Sequence, residues 1–350
     1  MWKDRSVLVT GGASFIGSHL VDSLLKRGAL VTVADDFSSG KVENLEYPLR
    51  QRRKGTWTSG NLSVHRVDLK ERAQTRKMMR DVDVVFHLAA QHGGRGYIHT
   101  HPAECCTNMA LDQLVFEEAW RVGAGKVCFA SSACVYPHYL QEQAGSSYQL
   151  KEDDADPFVR DKAFADLEYG WSKLMSEMTL KAYHREYGLK ASSVRIFTAY
   201  GERENETHAI IALVAKALVR MDPFEIWGTG EQDRNFTYVG DVVDALILAA
   251  EKMEDASPVN AGRSDRITLN QAAEIVFKLL DWRPKEIKHD LSKPTGVSSR
   301  AADLTRARKL LGWEPKVSYE DGFKRTIDWY RSHRDLEYVR RNLRRLLMER

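Results

Sequence analysis

The sequence predicts an α/β protein with a doubly wound parallel sheet and a second, smaller α/β domain. Short apolar segments alternate with longer segments of helical period, which is typical of strands and helices wound into a parallel sheet. A glycine-rich turn follows the first apolar segment, and an acidic residue ends the second. The chain has 350 residues, enough for one large domain or two smaller ones.

The predicted strands are apolar and short, and the predicted helices lie between them. The strands cover 6–10, 30–34, 62–67, 82–88, 126–131, 190–197, 224–227, 257–261 and 285–288. The helices cover 18–27, 102–122, 169–187, 209–220, 237–253, 269–280, 300–312 and 319–331. The polar and basic segment 46–61 is expected to be a solvent-exposed loop.

The glycine-rich turn predicts a dinucleotide site. Gly11 and Gly17 flank the turn from the first strand into a helix, where the backbone must approach a pyrophosphate at the helix N-terminus. Ser14 replaces the middle glycine of the usual pattern. Asp35 follows the second strand and is placed to accept hydrogen bonds from ribose hydroxyls, which favours NAD over NADP. Together these features predict a Rossmann-type NAD-binding domain.

A change in composition after the sixth strand divides the chain. Residues 1–197, with 236–261 returning to them, are predicted to form the NAD-binding domain. Residues 198–235 and 262–332 are predicted to form a substrate-binding domain, and 333–350 a basic helical tail. The amphipathic pattern of the tail fits three arrangements, namely contact with another subunit, packing on its own subunit, or contact with an anionic surface.

Composition argues against several other classes of protein. Charged residues make up 29% of the chain and the net charge is only +3, so no nucleic-acid partner is expected. No apolar run reaches the roughly 18 residues of a membrane span, and no signal peptide precedes the first strand, so a cytoplasmic location is expected. The four cysteines lack CxxC spacing and a companion histidine cluster, so neither a metal site nor a disulfide framework is predicted.

A serine and a tyrosine–lysine pair are the candidate catalytic groups. Ser132 follows the fifth predicted strand, and Tyr169 and Lys173 are four residues apart at the start of a long predicted helix. Residues four apart share a helix face, so the ammonium group is expected to favour the ionised phenol. Tyr169 is therefore predicted to act as a general base.

A glycine-rich loop follows the fourth predicted strand, where ligands bind in open parallel sheets. It contains Gly93, Gly94 and Arg95, and the next predicted helix carries Asn108. His92 is expected to shape the site rather than to react.

In combination, these motifs resemble the extended short-chain dehydrogenase/reductase family of nucleotide-sugar epimerases and dehydratases. The resemblance covers roughly residues 5–332 and also includes Asp68, Arg195 and the segment 228–237. It implies a nucleotide-diphosphate sugar as substrate and a homodimer formed through the helices 102–122 and 169–187. The implied NAD contacts are Gly11, Ser14, Phe15, Ile16, Gly17, Asp35, Asp68, Leu88, Ala89, Ala90, Asn108, Tyr169 and Lys173.

The resemblance also implies roles in catalysis and substrate binding. Tyr169 takes the proton of the sugar 4-hydroxyl while C4 is oxidised, Lys173 holds the nicotinamide ribose, and Ser132 hydrogen-bonds the same sugar oxygen. Two arginines would grip the diphosphate by bidentate contacts, with an interdomain salt bridge as the alternative. The implied substrate contacts are Gly93, Gly94, Arg95, Ser132, Thr198, His208, Trp227, Arg234 and Arg300.

The residues after Ser132 bear on the reaction. Dehydratases of the family carry an Asp-Glu pair there, and a related decarboxylase carries a glutamate at the second position, whereas this chain has Ala133 and Cys134. Cys134 in its context is most similar to the GDP-mannose 3,5-epimerase branch, in which the cysteine is an acid/base. The lysine of that branch aligns with His208, which can also move protons near neutral pH. Thr198 stands where the family usually has asparagine.

The favoured function is an NAD-dependent nucleotide-sugar epimerase that works through a transient 4-ketone and inverts C3 and C5. A UDP-sugar 4-epimerase, a dehydratase that uses Cys134, and a non-catalytic NAD-binding scaffold stay open. The alternative reading of Cys134 is a small apolar residue in place of threonine, and that of His208 is a helix-start residue. Neither the nucleobase, GDP- or UDP-linked, nor the sugar follows from the sequence.

Overall fold

A computed structural model describes residues 1–143 and 145–348 of the chain. Its strands are β1 (Ser6–Thr10), β2 (Leu30–Asp35), β3 (Arg50–Arg53), β4 (Thr56–Ser59), β5 (Leu62–Arg66), β6 (Val84–His87), β7 (Val127–Ser132), β8 (Ala191–Ile196), β9 (Ala199–Tyr200), β10 (Phe224–Trp227), β11 (Asp233–Arg234), β12 (Thr237–Tyr238), β13 (Asp255–Ala261), β14 (Ile267–Thr268), β15 (Ile287–Asp290) and β16 (Ser299–Arg300). Its α-helices are α1 (Phe15–Lys26), α2 (Arg72–Met79), α3 (Arg95–Thr100), α4 (Pro102–Arg121), α5 (Leu167–Tyr187), α6 (Ala209–Leu218), α7 (Val239–Lys252), α8 (Leu269–Leu279), α9 (Thr305–Leu311), α10 (Tyr319–His333) and α11 (Leu336–Leu346).

A nine-stranded sheet in the order β13-β8-β7-β6-β1-β2-β5-β4-β3 forms the centre of the protein. Every pair from β13 to β5 is parallel, with helices on both faces, so the predicted doubly wound α/β architecture is confirmed. The strand order reverses beside β1, between β2 and β6. A crevice opens at such a switch point, beyond the carboxyl ends of the strands.

The two edge strands β3 and β4 correct the prediction of a loop at 46–61. They form an antiparallel hairpin that extends the sheet beyond β5. Gly55 makes the turn with a φ of +74°, which favours glycine. The Trp57 ring packs edge-on against Phe37 at 5.8 Å between centroids, which anchors an otherwise polar hairpin.

The small sheets outside the main one include a three-stranded sheet with the order β14-β11-β16. Its parallel register pairs Arg234 with Arg300. The prediction of a helix from residue 300 is therefore wrong at its start, because Ser299 and Arg300 form β16 and α9 begins only at Thr305.

The C-terminal helix α11 packs on its own subunit, the second of the three arrangements considered. Val339, Leu343 and Leu347 are buried on its apolar face, which lies against α6. Arg340 Nη2 also donates to the carbonyl oxygen of Val219 at 3.5 Å, just after α6. The last predicted tail residues, 349–350, lie outside the described residues.

Helices α4 and α5 pack side by side against the sheet. Met109 on α4 and Trp171 and Met175 on α5 are exposed. The homodimer through these helices, the domain division and the cytoplasmic location stay predictions. Within the described residues, no helix is both long and apolar enough to span a membrane.

Candidate active site

The glycine turn between β1 and α1 brings the backbone of Gly17 close to that of Gly11, and the backbone of Gly11 close to that of Ala89. A Cβ atom on Gly17 would lie 2.2 Å from the carbonyl oxygen of Gly11, so any side chain there would displace the turn. Gly11 itself has a φ of +67°, and a Cβ atom on it would lie 2.9 Å from the amide nitrogen of Ala89. The first turn of α1 is therefore open to a ligand whose phosphates approach the backbone closely.

The NAD contacts expected from the sequence, apart from Asn108, line one cleft beyond the carboxyl ends of β1, β2 and β6. They are Gly11, Ser14, Phe15, Ile16, Gly17, Asp35, Asp68, Leu88, Ala89, Ala90, Tyr169 and Lys173. All the expected substrate contacts line the same cleft, namely Gly93, Gly94, Arg95, Ser132, Thr198, His208, Trp227, Arg234 and Arg300, together with Cys134. The sequence thus identified one continuous surface, although the roles of these residues stay predictions.

Asp35 is the buried acid at the cofactor end of the cleft. Its carboxylate accepts hydrogen bonds from the backbone N–H groups of Ala13 at 3.0 Å and Phe37 at 2.9 Å. Burial raises the pKa of Asp35, whereas these two hydrogen bonds act in the opposite direction. The carboxylate is thus held rigidly at the edge of the cleft, where it could accept hydrogen bonds from a ribose.

Asn108, whose role as a cofactor contact stays a prediction, contacts the backbone of the glycine-rich loop. It is fully buried on α4, outside the cleft lining, and its side-chain amide forms two hydrogen bonds with the backbone of Gln91. The amide nitrogen of Gln91 donates to Asn108 Oδ1 at 2.7 Å, and Asn108 Nδ2 donates to the Gln91 carbonyl oxygen at 3.0 Å. Asn108 therefore fixes the glycine-rich loop from behind.

Tyr169 lies near the start of α5, facing Ser132 at the end of β7. Burial raises the pKa of Tyr169 well above its ordinary value, with Cys134 adding to the effect and a hydrogen bond with Ser132 opposing it. This direction is opposite to the expected lowering of the phenol pKa, because burial outweighs the hydrogen bond of Ser132. Lys173 is also buried, with Nζ 3.8 Å from Asp112 Oδ2, and burial lowers its pKa.

A buried polar network lies beneath this pair and was not predicted. His87 on β6 bridges Asp112 on α4 and Thr10 on β1, with nitrogen–oxygen distances of 2.9 and 2.7 Å. The Thr10 hydroxyl oxygen in turn accepts hydrogen bonds from the backbone N–H groups of Leu88 and Ala89, both at 3.1 Å. The network therefore connects α4 to the ends of β6 and β1, which lie at the cofactor end of the cleft.

Cys134 lies beside a network of buried charges. Arg300 Nη1 is 3.8 Å from Cys134 Sγ, and its Nε donates to Gln141 Oε1 at 2.6 Å. Asp166 joins Arg300 to Arg95, with nitrogen–oxygen distances of 3.4 Å and 2.9 Å. Burial acts to raise the pKa of Asp166, but the two guanidinium groups outweigh it and hold that pKa low. A cation therefore faces the thiol.

Arg234 adds a third guanidinium group to this end of the cleft. It donates to the carbonyl oxygens of Thr295 and Val297 at 3.0 and 2.5 Å. Burial, with Arg300 and Arg95 acting in the same direction, lowers the pKa of Arg234 to about 9. Crowded and desolvated guanidinium groups of this kind suit an anionic ligand.

The glycine-rich loop touches the segment that precedes α6. A Cβ atom on Gly94 would lie 2.1 Å from the carbonyl oxygen of Thr207. The next residue, His208, is the N-terminal boundary residue of α6, and its ring stacks on His92 at 5.6 Å. His92 also contacts the ring of Tyr169, at 4.9 Å between centroids. The loop histidine therefore links two candidate catalytic groups.

Comparisons with known proteins identify the family. The sequence pattern described as "NAD dependent epimerase/dehydratase family" matches residues 7–262. The chain belongs to this family. GDP-mannose 3,5-epimerase 1 of Oryza sativa subsp. indica is 31% identical over 337 residues, which cover 95% of this chain and 83% of that protein. The family assignment gives NAD as the cofactor and sugar nucleotides as the substrate class.

Two solved members of the family share the fold. The UDP-glucose 4-epimerase of Thermotoga maritima with UDP-glucose superposes with a TM-score of 0.80 at 29% identity, over 94% of this chain and 99% of that one. The UDP-glucose 4-epimerase of Thermus thermophilus with NAD gives 0.78 at 26% identity, over 94% and 100%. The specific reaction of this family member does not follow from these likenesses.

Two further acids in the cleft escaped the sequence analysis. Asp166 precedes the first residue of α5, a position where aspartate is common for capping, so its side chain gave no separate signal. Glu204 lies four residues before His208, and only that spacing could have indicated contact. Among the described residues, no cluster of three or more histidine, cysteine or acidic side chains could hold a metal ion.

Proposed function

We propose that this protein is a nucleotide-sugar epimerase that forms a transient 4-ketone and inverts the neighbouring carbons C3 and C5. The observation that carries the proposal is the Cys134 thiol, which lines the cleft beside Ser132 and Tyr169 with Arg300 Nη1 at 3.8 Å. The likeness to a relative named GDP-mannose 3,5-epimerase supports the same reaction.

The cofactor end of the cleft suits NAD. The close approach of Gly17 to Gly11 leaves room for a pyrophosphate at the start of α1, and the Asp35 carboxylate is available to the adenosine ribose. Ala89 and Ala90 would let the cofactor lie against the strand end. Bound NAD supplies the oxidation of C4 to a ketone and its later reversal.

Tyr169 is assigned the proton transfer at the sugar 4-oxygen. It accepts the hydroxyl proton when the ketone forms and returns it when the ketone is reduced, while Ser132 hydrogen-bonds the same oxygen. Burial raises the pKa of Tyr169, and the Lys173 ammonium group, four residues along the same helix, is assigned the stabilisation of the phenolate. Burial lowers the pKa of Lys173, and the carboxylate of Asp112, 3.8 Å from Lys173 Nζ, acts in the opposite direction and favours the charged ammonium group.

The arginine-rich end is assigned the diphosphate. Arg234 and Arg300 are register partners in adjacent strands, so their side chains emerge close together. The three guanidinium groups face only one nearby carboxylate, that of Asp166, so this end of the cleft carries excess positive charge. A diphosphate would balance this charge. Trp227, with Lys216 Nζ 5.8 Å from its ring centroid, extends the same wall beyond the arginines and is assigned to the nucleoside.

Cys134 is assigned the proton transfer at carbon. A ketone at C4 makes the hydrogens on C3 and C5 acidic, and a base beside those carbons can remove one as the enolate forms. Ala133 and Cys134 occupy the positions of the acidic pair that removes water in dehydratases. An alanine can neither give nor take a proton, so inversion is favoured over water loss.

Solvent exchange tests the proposal. Incubation of the enzyme with GDP-mannose or UDP-sugars in heavy water should place deuterium at C3 or C5, as read by NMR. Cys134→Ala should slow this exchange by about 10²-fold or more, because a positioned proton-transfer group contributes about 10² to 10⁴. Cys106→Ala, the same substitution on α4 outside the cleft lining, is the matched control and should leave the exchange unchanged.

The same incubation separates the other functions. Tyr169→Phe should lose both exchange and turnover, because the ketone no longer forms. Epimerisation at C4 without incorporation of solvent deuterium would contradict the proposal and favour a 4-epimerase. This is the second candidate function, because the fold is similar to that of a UDP-glucose 4-epimerase. A product that has lost water would indicate a dehydratase, and no reaction with any sugar nucleotide would indicate a binding scaffold.

A further inference from the structure

The segment between β9 and α6 carries two titratable side chains that lie four residues apart and contact each other. Glu204 is 2% exposed, and its Oε1 lies 3.5 Å from Nδ1 of His208. Both residues line the cleft that also contains Cys134 and Tyr169. The His208 side chain is 24% exposed, so part of its ring faces the cleft while Nδ1 is turned inward.

Neither side chain is fully satisfied by the protein. Within residues 1–143 and 145–348, Glu204 Oε2 and His208 Nδ1 are buried and have no hydrogen-bond partner. Native proteins pair nearly all such atoms, and exceptions concentrate where chemistry needs them. The distance of 3.5 Å between the carboxyl and the ring needs only a small adjustment to become a hydrogen bond.

In the described part of the chain, no lysine or arginine forms an ion pair with Glu204, whose carboxyl group faces His208. Arg203, the neighbour of Glu204 in sequence, pairs instead with Asp22 on α1 at 2.8 Å. Glu206 accepts the Tyr330 hydroxyl at 2.6 Å, and Arg334 Nε lies 3.8 Å from its carboxylate. Two groups act on the pair itself, namely His92, whose ring stacks on His208, and Glu206, whose charge acts on Glu204. The other charged and titratable groups contact residues 202, 203 or 206 of the same segment, and they are His19, Asp22, Tyr330 and Arg334.

Burial acts on the two groups in opposite senses. It raises the pKa of Glu204 well above its ordinary value, with the nearby charge of Glu206 adding to it and the backbone N–H of Gly201 opposing it. It lowers the pKa of His208 to about 4. Burial thus favours the protonated form of the Glu204 carboxyl group and the uncharged form of the His208 imidazole.

An uncharged imidazole alone is a poor source of protons for carbon. Its ring N–H can be given up only if the other nitrogen receives a proton at the same time. The Glu204 carboxyl group lies 3.5 Å from that other nitrogen and, when protonated, can supply this proton. The lysine of the 3,5-epimerase branch carries its own proton as an ammonium ion, and the histidine here therefore needs a partner that a lysine does not.

We propose that Glu204 is the proton donor behind His208, and that the two residues act as one relay into the sugar site. This inference rests on the proposed epimerisation at C3 and C5 and adds a catalytic partner to it. The relay runs from the Glu204 carboxyl to Nδ1 of His208, and from Nε2 of His208 to the sugar carbon.

The proton balance of one inversion is complete. The Cys134 thiolate takes the proton of the acidic carbon, and the electron pair of that C–H bond moves into the enolate. The enolate carbon then takes the Nε2 proton of His208 as the electron pair returns to form the new C–H bond. Nδ1 takes the Glu204 proton, so the ring stays uncharged in its other tautomer. One thiolate and one carboxylic acid have become one thiol and one carboxylate, which solvent exchange resets.

Glu204→Gln tests the relay, because glutamine keeps the size of the side chain and removes the transferable proton. Formation of the deuterated product inverted at C3 or C5 should fall by about 10² to 10⁴, because the relay delivers the proton that inverts the carbon. Oxidation at C4, followed by the absorbance of reduced cofactor on adding substrate, should stay near the wild-type level. In the wild type, the rate of inversion should decrease at high pH, as Glu204 loses its proton. In Glu204→Gln, this decrease at high pH should be absent.

Two further variants keep the test decisive. Glu202→Gln is the matched control, since its carboxylate accepts the Tyr238 hydroxyl at 2.9 Å outside the cleft lining and its loss should leave inversion unchanged. Glu204→Asp retains the carboxyl group on a shorter side chain. It should restore part of the inversion and its decrease at high pH, even if Glu204→Gln folds poorly. Wild-type inversion rates and pH profile in both Glu204 variants would overturn the relay alone. A wild type that exchanges no deuterium would overturn the proposed function and the relay together.

Discussion

The two ends of the cleft are built in different ways. At the cofactor end, the turn at Gly11 and Gly17 brings backbone atoms close together, and one buried carboxylate, Asp35, is held by two backbone N–H groups. At the substrate end, the wall consists of long side chains from distant segments, with Asp166 between Arg95 and Arg300. Backbone geometry forms one end, and a network of charges forms the other.

The contrast in charge follows the chemistry of the two ligands. The cofactor end offers an acceptor for ribose hydroxyls and backbone N–H groups for a pyrophosphate. The substrate end offers guanidinium groups that outnumber the nearby carboxylates, which suits a diphosphate. The two ends should therefore respond to different perturbations, the first to added bulk on the backbone and the second to lost charge.

Asp166→Asn should produce the largest change in stability. It leaves the buried guanidinium group of Arg300 and the partly exposed one of Arg95 without their shared carboxylate, and breaking a buried ion pair typically costs about 3–5 kcal/mol. The free energy of unfolding at pH 7, from urea titration, should fall by an amount of that order. Asp328→Asn, which removes an exposed pair with Lys324, is the control and should stay close to wild type.

The difference in the free energy of unfolding between wild type and Asp166→Asn should become smaller at acid pH. Burial acts to raise the pKa of Asp166, but Arg300 and Arg95 outweigh it and depress that pKa in the folded protein. Its contribution is therefore complete above the unfolded value of about 3.9 and is lost as the pH falls through the folded pKa below it. The stability gap between wild type and Asp166→Asn should narrow over that acid range. An Asn variant as stable as wild type at pH 7 would contradict the network.

Alanine at two glycines should separate the ends. Gly17→Ala places a Cβ atom 2.2 Å from the Gly11 carbonyl oxygen, so the turn must shift, at a cost of about 1–3 kcal/mol in stability. NAD affinity, measured by calorimetry, should weaken by roughly tenfold or more, since about 1.4 kcal/mol is one factor of ten.

Gly94→Ala is the counterpart at the substrate end. Its Cβ atom would lie 2.1 Å from the Thr207 carbonyl oxygen, beside His208, so turnover should fall while NAD affinity stays near wild type. Gly96→Ala, with no heavy atom within 4 Å of the added Cβ, is the control for both and should be harmless. Equal losses of NAD affinity in Gly17→Ala and Gly94→Ala would erase the distinction between the ends.

The same contrast explains what the sequence could predict. The parallel sheet, the NAD turn and the Tyr169–Lys173 pair depend on local spacing, namely strand and helix periods, two glycines and an i,i+4 pair, and all were predicted in place. The charge network joins residues 71 to 159 positions apart, and no local pattern encodes such pairings. The raised pKa of Tyr169 likewise depends on burial by several elements, which spacing alone does not give. The family resemblance implied Asn108 as a cofactor contact, but no local pattern indicated that its side chain hydrogen-bonds the loop backbone.

The hairpin β3–β4 offers the smallest and most local test, at the cofactor end. Its polar strands predicted a loop, and the contact that holds them is the packing of Trp57 on Phe37, 20 positions apart. Phe37 in turn donates its backbone N–H to Asp35. Trp57→Ala should lower the free energy of unfolding by about 1 kcal/mol, the contribution of an aromatic pair beyond simple burial.

NAD affinity should fall less than tenfold in Trp57→Ala, because Ala13 still holds the Asp35 carboxylate. Arg52→Ala, an exposed change in the same hairpin, should be near wild type in both urea titration and calorimetry. A large loss of NAD affinity in Trp57→Ala would mean that a side-chain contact, and not the glycine turn alone, holds the cofactor end in shape. Side-chain contacts would then shape both ends of the cleft, and the cofactor end would differ only in its larger share of backbone contacts.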